Sequence, residues 1–159
     1  MKQNHQEIGI GIIGSGRMGN LRSSVSRAYG SVKYIGVSDK EINKAKSLGE
    51  KINADLVSSN NEEIINNDNI HALIVSTSEP EHLNPVLQAL ERGKPVLVEK
   101  PIALSIDDAK KMVEAANRNN TSLHVGYTLR FNRHFLIGKQ QILDKKIGNI
   151  LSCVGRFYN

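Results

Sequence analysis

Short apolar runs alternate with amphipathic segments along most of this chain. An uninterrupted run of Ile, Leu and Val is typical of a strand buried on both faces of a parallel sheet, whereas apolar residues at spacings of three and four predict a helix. The alternation predicts an α/β fold, a doubly wound parallel sheet with helices on both faces. The predicted strands are Ile8–Ile13, Val32–Ser38, 54–57, Ala72–Val75, 95–98 and 122–125.

The helices between these strands are predicted from apolar spacing and from residues typical of helix ends. Ser105 is a favourable N-cap for the last of them, and Gly93 ends the one before it. The predicted helices lie after Gly16, near 41–49, near 60–67, between 83 and Gly93, and after Ser105. The predicted packing face of the first helix is Met18, Leu21, Val25 and Ala28. That of the fourth is Leu83, Val86, Leu87 and Leu90, and that of the fifth is Ile106, Ala109, Met112, Val113 and Ala116.

A glycine-rich turn joins the first predicted strand to the first predicted helix. Its spacing, G-x-G-x-x-G between a strand and a helix, is typical of the dinucleotide-binding turn of a Rossmann fold. Gly14 permits the tight turn, Gly16 lets the backbone approach a pyrophosphate, and Gly19 lets helix and strand pack closely. The helix start adds unpaired N–H groups that attract phosphate. The residues predicted to bind the cofactor here are Gly14, Ser15, Gly16, Arg17, Met18 and Gly19.

An acidic residue stands where such a fold binds the adenosine ribose. Asp39 follows Gly19 by 20 positions and ends the second predicted strand, the usual place of a carboxylate that binds the ribose 2′-hydroxyl. A carboxylate repels the 2′-phosphate of NADP at short range, so NAD is the expected cofactor. The next residue, Lys40, offers a compensating positive charge and contacts the same region, so NADP stays an alternative.

Other polar residues follow later strands at the same edge of the predicted sheet. Ligands of open α/β sheets bind outside the carboxyl ends of the strands, so Ser76 and Thr77 are candidate cofactor contacts. Lys100 stands where substrate would meet cofactor, partly buried and able to exchange a proton with a reacting hydroxyl. From its position alone, it is equally well explained as a solvated loop lysine. Glu99 is expected to orient Lys100 or the backbone beside the cofactor.

Composition and charge narrow the function classes. The net charge is +5, and the whole excess lies in 128–159, where six basic residues accompany Asp144. The preceding part is neutral, which disfavours nucleic-acid binding. No apolar run approaches a membrane span, and the polar opening is unlike a signal peptide. The single Cys153 fits a reducing, cytoplasmic setting, and no residue spacing is typical of a metal site.

The pattern changes after Gly126, which predicts a dinucleotide-binding domain at 1–127 and the start of a second domain at 128–159. A helix is predicted at 130–143, a turn at 145–149 and a strand at 150–158. That strand has apolar residues on both faces and needs cover. It docks on the sheet, pairs between subunits, or belongs to a larger domain of which this chain is a fragment. We expect a fragment with a truncated second α/β domain.

Five stretches together resemble a known family, the Gfo/Idh/MocA family of glucose–fructose oxidoreductase and inositol dehydrogenase. They are 10–19, 37–39, 74–82, 89–101 with its Glu99-Lys100-Pro101 motif, and Gly126-Tyr127 followed by Arg130-Phe131-Asn132. The motif lies 17 residues after His82, behind a Rossmann turn, and this spacing is specific. The resemblance covers nearly all of this chain but only the first half of a typical member.

The resemblance implies a two-domain, NAD(P)-dependent oxidoreductase acting on sugars, polyols or cyclitols. It implies hydride transfer between nicotinamide and a secondary alcohol carbon, with Lys100 and His82 as catalytic residues and Glu99 and Lys100 beside the cofactor. His82 is almost as well explained as a histidine at a helix start. The second domain would carry substrate contacts, an Asp/His pair and the interface of a homo-oligomer.

Two other functions fit the same fold. One is a redox-inactive nucleotide-binding or regulatory module, and the other is a subunit completed by a separate chain. The intact Glu99-Lys100-Pro101 motif favours the enzyme, because a sensor does not require a lysine at a hydride-transfer site. The expected partners are therefore the cofactor and a small-molecule substrate, with neither nucleic acid nor membrane.

Overall fold

The computed structural model describes residues 7–156. The chain divides into two compact units, Met1–Gly126 and Tyr127–Asn159, so the division falls one residue before the predicted boundary. No helix of the described residues is long and apolar enough to cross a membrane.

The first unit alternates strands and helices in the predicted order. The strands are β1 (Ile8–Ile13), β2 (Val32–Ser38), β3 (Leu56–Ser58), β4 (Ala72–Val75), β5 (Val96–Val98) and β6 (Leu123–Val125). The α-helices are α1 (Arg17–Ala28), α2 (Ile42–Ile52), α3 (Asn61–Ile65), α4 (Leu83–Glu91) and α5 (Ile106–Arg118). A short 3₁₀ helix, Glu79–Glu81, precedes α4. The main difference from expectation is that β3 begins later and α3 is shorter.

The six strands form one parallel sheet in the order β3-β2-β1-β4-β5-β6. Neighbouring residues of a strand face opposite sides, and Ile12 and Ile13 belong to different apolar cores. Ile12 packs with residues of α2, whereas Ile13 packs with residues of α3, α4 and α5. Helices therefore cover both faces, and the predicted doubly wound α/β fold is confirmed.

The packing face of α1 differs from the prediction. Its buried residues are Gly19 and Ser23, whereas Leu21 and Val25 are exposed. A Cβ atom on Gly19 would lie 1.9 Å from the carbonyl oxygen of Gly14, so only a face of small residues can approach the turn this closely. Leu21 follows Gly19 by two positions, and Val25 follows Ser23 by two. Each is therefore about 200° around the helix axis from the buried residue and points away from that contact.

The face of α5 is likewise narrower than its sequence pattern predicts. Met112, Ala115 and Ala116 are buried, whereas Ile106 and Val113 are exposed. The spacing of three and four among the buried residues places them on one side of the helix, and Val113 lies about 100° away. Ser105 caps the helix as predicted, because its hydroxyl accepts a hydrogen bond of 3.1 Å from the Asp108 N–H.

The regular elements of the second unit, among its described residues 127–156, are two helices. A 3₁₀ helix, Thr128–Phe131, and α6 (Arg133–Leu143) replace the single helix predicted at 130–143. Asn132 separates them because its side chain caps α6. The predicted strand at 150–158 is wrong for 150–156, which form no strand, and 157–158 lie outside the described residues. A strand needs a hydrogen-bonding partner, and no other strand occurs among residues 127–156.

Candidate functional site

The carboxyl ends of the strands lie level with one another, which brings their loops together. Ile13 pairs with Ser38 on one side and with Val75 on the other. The carboxyl ends of β5 and β6 are aligned with these, because Val75 pairs with Val98 and Val98 pairs with Val125. The first residues beyond these ends therefore share one edge of the sheet. They are Gly14, Asp39, Ser76, Glu99 and Gly126.

The glycine-rich turn after β1 has the geometry that its spacing predicts. Gly14 has φ +97, and a Cβ atom there would lie 2.6 Å from the carbonyl carbon of Ser76. A side chain is therefore excluded from position 14 by backbone conformation and by space. The Ser76 hydroxyl donates a hydrogen bond of 2.9 Å to the Gly14 carbonyl oxygen, which joins this turn to the loop after β4.

An open cleft of about 710 Å³ lies over this turn, a volume within the range of small-molecule sites. Eight of the residues predicted to bind the cofactor line it: Gly14, Ser15, Gly16, Arg17, Asp39, Lys40, Ser76 and Thr77. The other predicted residues, Met18, Gly19, His82, Glu99 and Lys100, are absent from its lining. Asn20, Glu41, Lys44, Asn61, Ser78 and Glu81 line it as well.

The cleft has polar groups without protein partners, as a dinucleotide site requires. The hydroxyl oxygens of Ser15 and Thr77 are buried and have no hydrogen-bond partner among the described residues. Gly16 is the N-cap of α1 without a side-chain cap, and a Cβ atom on it would meet nothing within 4 Å. The first N–H groups of α1 thus stay available to an anion. These features fit the phosphates and riboses of a dinucleotide.

The carboxylate of Asp39 is fixed by two backbone groups. Its Oδ2 accepts a hydrogen bond of 2.8 Å from the Ser15 N–H, and its Oδ1 accepts one of 3.0 Å from the Glu41 N–H. Each oxygen keeps a second lone pair that a ribose hydroxyl can use. The side chain is half-buried beside the glycine-rich turn, where the sequence predicts it.

We call Asp39, Lys40 and Glu81 the adenosine end of the cleft, after the ribose that Asp39 is predicted to bind. Lys40 Nζ and Glu81 Oε1 lie 2.7 Å apart. This hydrogen bond raises the pKa of Lys40 above its ordinary value and holds the pKa of Glu81 below its own. Nearby, Lys44 forms an ion pair of 2.5 Å with Glu41, whose hydrogen bond raises the pKa of Lys44. Both lysines of the cleft are therefore paired with glutamates.

We call Glu99, Lys100 and Pro101 the lysine loop, which follows β5. The side chain of Lys100 is exposed rather than partly buried, because no described residue covers it. Glu99 orients neither Lys100 nor the backbone: its Oε1 accepts a hydrogen bond of 2.7 Å from Arg22 Nε. That expectation is wrong because α1 runs back along the sheet and brings Arg22 to the end of β5. The Lys100–Pro101 peptide bond is cis.

His82 connects the cleft to the lysine loop. Its side chain is only 1% exposed. Nδ1 lies 3.0 Å from the carbonyl oxygen of Pro101, and Nε2 lies 3.3 Å from that of Thr77. A carbonyl only accepts, so the imidazole is the donor and a neutral ring donates one of these bonds. The catalytic role predicted for His82 stays a prediction, and the geometry is that of a link between two loops.

Sequence reasoning missed Arg22 and Glu81. Arg22 forms the ion pair that holds Glu99, and Glu81 holds Lys40. Arg22 lies 77 positions before Glu99, and Lys40 lies 41 positions before Glu81. Glu81 had a signal in the sequence, because it follows the same predicted strand, Ala72–Val75, as the candidate cofactor contacts Ser76 and Thr77. Arg22 had no comparable signal, since an arginine on a helix is usually solvated.

Comparisons with known proteins agree with this geometry. Residues 8–127 match a family model described as the oxidoreductase family, NAD-binding Rossmann fold. The chain is 28% identical over 150 residues to the inositol 2-dehydrogenase of Rubrobacter xylanophilus, covering 93% of this chain and 43% of that protein. It is 30% identical over 143 residues to an uncharacterized oxidoreductase of Streptococcus pneumoniae, covering 90% of this chain and 38% of that protein.

A solved structure has the same fold. The scyllo-inositol dehydrogenase of Lactobacillus casei, solved with NAD(H) and scyllo-inositol, superposes with a TM-score of 0.84 at 23% identity. The alignment covers 91% of this chain and 43% of that one. The chain thus spans about two fifths of the length of the proteins that it matches.

Proposed function

Because the chain belongs to the Gfo/Idh/MocA oxidoreductase family and contains its NAD-binding Rossmann domain, we propose that it is the cofactor domain of an NAD-dependent dehydrogenase. The proposed reaction is hydride transfer between nicotinamide and a secondary alcohol carbon of a sugar, polyol or cyclitol. The inositol 2-dehydrogenase among its relatives supports a cyclitol most directly. NADP is the alternative cofactor.

The observation that carries this proposal is the cleft over the glycine-rich turn. It combines Gly16 facing open space, the unpartnered hydroxyls of Ser15 and Thr77, and a carboxylate, Asp39, held toward the ribose position. These groups correspond to the pyrophosphate, the riboses and the adenosine of one dinucleotide. The lysine loop leaves the same edge of the sheet, which supports a proton-transfer role for Lys100 on the nicotinamide side.

The residues of this chain then have separate tasks. The backbone from Gly14 to Arg17 holds the pyrophosphate, and Asp39 accepts hydrogen bonds from the adenosine ribose. When bound, nicotinamide supplies the hydride acceptor. Lys100 Nζ takes the proton of the substrate hydroxyl while the carbon–hydrogen bond is broken. Its exposed side chain can reach a substrate that lies outside the cleft.

The full reaction requires more than this chain supplies. Substrate orientation contributes as much to rate as proton transfer does, and no second substrate-binding group is identified at this edge among the described residues. We propose that a further domain completes the site, as the length of the relatives supports, and that the complete protein is a cytoplasmic homo-oligomer.

Cofactor binding is tested by titrating the 159-residue chain with NAD in a calorimeter. Gly16→Val puts a side chain into the cleft at a position with ordinary backbone angles, where a Cβ atom meets no protein atom within 4 Å. We expect the variant to stay folded and to lose NAD binding. Gly30→Val is the matched control, since Gly30 also faces open space but does not line the cleft. Unchanged affinity in Gly16→Val would contradict the proposed cleft.

The role of Lys100 is tested by measuring NADH formation with inositols and simple sugars. The assay uses a polypeptide that contains this chain together with the proposed further domain. Lys100→Met should lower kcat by about 10²–10⁴-fold while NAD affinity stays the same. Lys110→Met is the control, because Lys110 is exposed on α5. A nucleotide-binding module without redox activity would bind NAD, reduce none with any substrate, and be indifferent to both substitutions.

A further inference from the structure

The ion pair between Lys40 and Glu81 joins two loops on opposite sides of the glycine-rich turn. Lys40 follows β2, and Glu81 ends the 3₁₀ helix that follows β4; both strands flank β1. Lys40 Nζ lies 2.7 Å from Glu81 Oε1, and both residues line the cleft. The pair therefore lies beside Asp39, where the proposed function puts the adenosine ribose.

The charges at this end of the cleft are nearly balanced, with a negative excess. Three carboxylates, of Asp39, Glu41 and Glu81, line the cleft together with the ammonium groups of Lys40 and Lys44. Each lysine is held by a glutamate, at 2.7 Å and 2.5 Å. Mutual hydrogen bonding raises the pKa of Lys40 and lowers that of Glu81, so both stay charged at neutral pH.

Arg17 is the third basic residue that lines the cleft, but it is not part of the adenosine end. It is the first residue of α1, directly after Gly16. This puts its side chain at the helix start, where a pyrophosphate binds. The cation nearest in sequence to Asp39 is Lys40, so Lys40 is the group available to compensate a phosphate on the adenosine ribose.

We propose that Glu81 is a specificity-determining residue, which keeps Lys40 from a ribose 2′-phosphate and thereby strengthens the preference of this domain for NAD over NADP. The inference rests on the proposed function, because it requires the cleft to bind a nicotinamide dinucleotide. A 2′-hydroxyl needs no cation and donates to Asp39. A 2′-phosphate needs Lys40, and it must either break the Lys40–Glu81 pair or accept a second carboxylate beside Asp39.

The expected change in NADP affinity is small, because both side chains of the Lys40–Glu81 pair are exposed. The side chains of Lys40 and Glu81 are 68% and 44% exposed, and exposed pairs contribute little. Freeing Lys40 should therefore raise NADP affinity by about five-fold. Asp39 still repels the phosphate in such a variant, so NAD should stay the tighter ligand.

The test is a calorimetric titration of NAD and NADP into four proteins at low ionic strength: the wild-type chain, Glu81→Gln, Lys40→Gln and the double variant. We expect Glu81→Gln to tighten NADP by about five-fold and to leave NAD unchanged. Lys40→Gln alone should give no gain in NADP affinity over the wild type, because it frees no cation. In the double variant the gain in NADP affinity should disappear, since the gain depends on Lys40.

Glu79→Gln is the matched control, because Glu79 lies on the same 3₁₀ helix, is exposed and does not line the cleft. An equal gain of NADP affinity in Glu79→Gln would overturn the proposal in favour of a net-charge effect. A gain that persists in the double variant, or no gain in Glu81→Gln, would overturn it too. NAD binding by each variant confirms folding, whereas a wild-type chain that binds neither dinucleotide would refute the proposed function itself.

Discussion

The adenosine end and the lysine loop both depend on an ion pair that joins distant parts of the chain, but the two pairs differ in burial. At the adenosine end, the side chains of Lys40 and Glu81 are 68% and 44% exposed. At the lysine loop, those of Arg22 and Glu99 are 21% and 9% exposed. Water screens the first pair, whereas the second is largely removed from water.

This difference in burial suits the two ion pairs to different roles. An exposed pair contributes little to stability and rearranges readily when a ligand brings new charge. A buried pair is costly to break, because removal of one partner leaves an uncompensated buried charge. The exposed pair is thus suited to rearrange when a ligand binds, whereas the buried pair is suited to fix α1 against the end of β5.

The largest expected effect is at the buried pair. Arg22→Met leaves the carboxylate of Glu99 buried without its partner and should lower the free energy of unfolding by about 3 kcal/mol, measured by urea denaturation. The double variant Arg22→Met/Glu99→Leu should recover most of this loss, because no buried charge remains. Equal stability of the wild type and Arg22→Met would mean that the two pairs do not differ in strength.

A smaller loss is expected at the link between the cleft and the lysine loop. His82→Phe keeps a ring but removes both ring nitrogens that face the Pro101 and Thr77 carbonyls, and should destabilise the chain by about 2 kcal/mol. Amide exchange at Lys100 and Ile102 should become faster. His124→Phe, an exposed position on β6, should change stability by less than about 0.5 kcal/mol. Unaltered exchange in His82→Phe would show that the imidazole does not hold the loop.

The smallest effect is expected at the adenosine end. Glu81→Gln should change the free energy of unfolding by less than about 1 kcal/mol. Carboxyl NMR should find the pKa of Glu81 below its ordinary value, because Lys40 donates to it, and Lys40→Gln should return it to that value. Because folding lowers the pKa of Glu81, its carboxylate stabilises the folded chain at pH values above its unfolded pKa. This contribution is lost as the pH falls through the folded pKa of Glu81. An ordinary pKa for Glu81 in the wild type would mean that Lys40 is free.

Much of the cleft was predictable because its parts are local in sequence. Gly14, Gly16 and Gly19 act within one turn, and Asp39 follows the next strand by a spacing that the fold sets. Parallel strands then bring Ser76 and Thr77 to the same edge. The family and its NAD-binding Rossmann fold were predicted from these stretches and are confirmed.

Other parts were not predictable because apolar character alone does not select a packing face. Leu21 and Val25 have the spacing of a buried face, but Gly19 requires α1 to approach the turn by its small residues. The run at 150–156 is apolar enough for a strand, yet a strand forms only beside another. Both errors arose from neighbours that a local pattern does not contain.

The sequence by itself determined the order of strands and helices, the doubly wound sheet and the glycine-rich turn, because each depends on periodicity or on backbone freedom within a few residues. Only the tertiary structure decided that Glu99 pairs with Arg22, that Glu81 holds Lys40, and that His82 spans two loops. Side chains far apart in the chain meet only after the sheet has formed. Their pairing depends on the positions of whole elements, which no local spacing encodes.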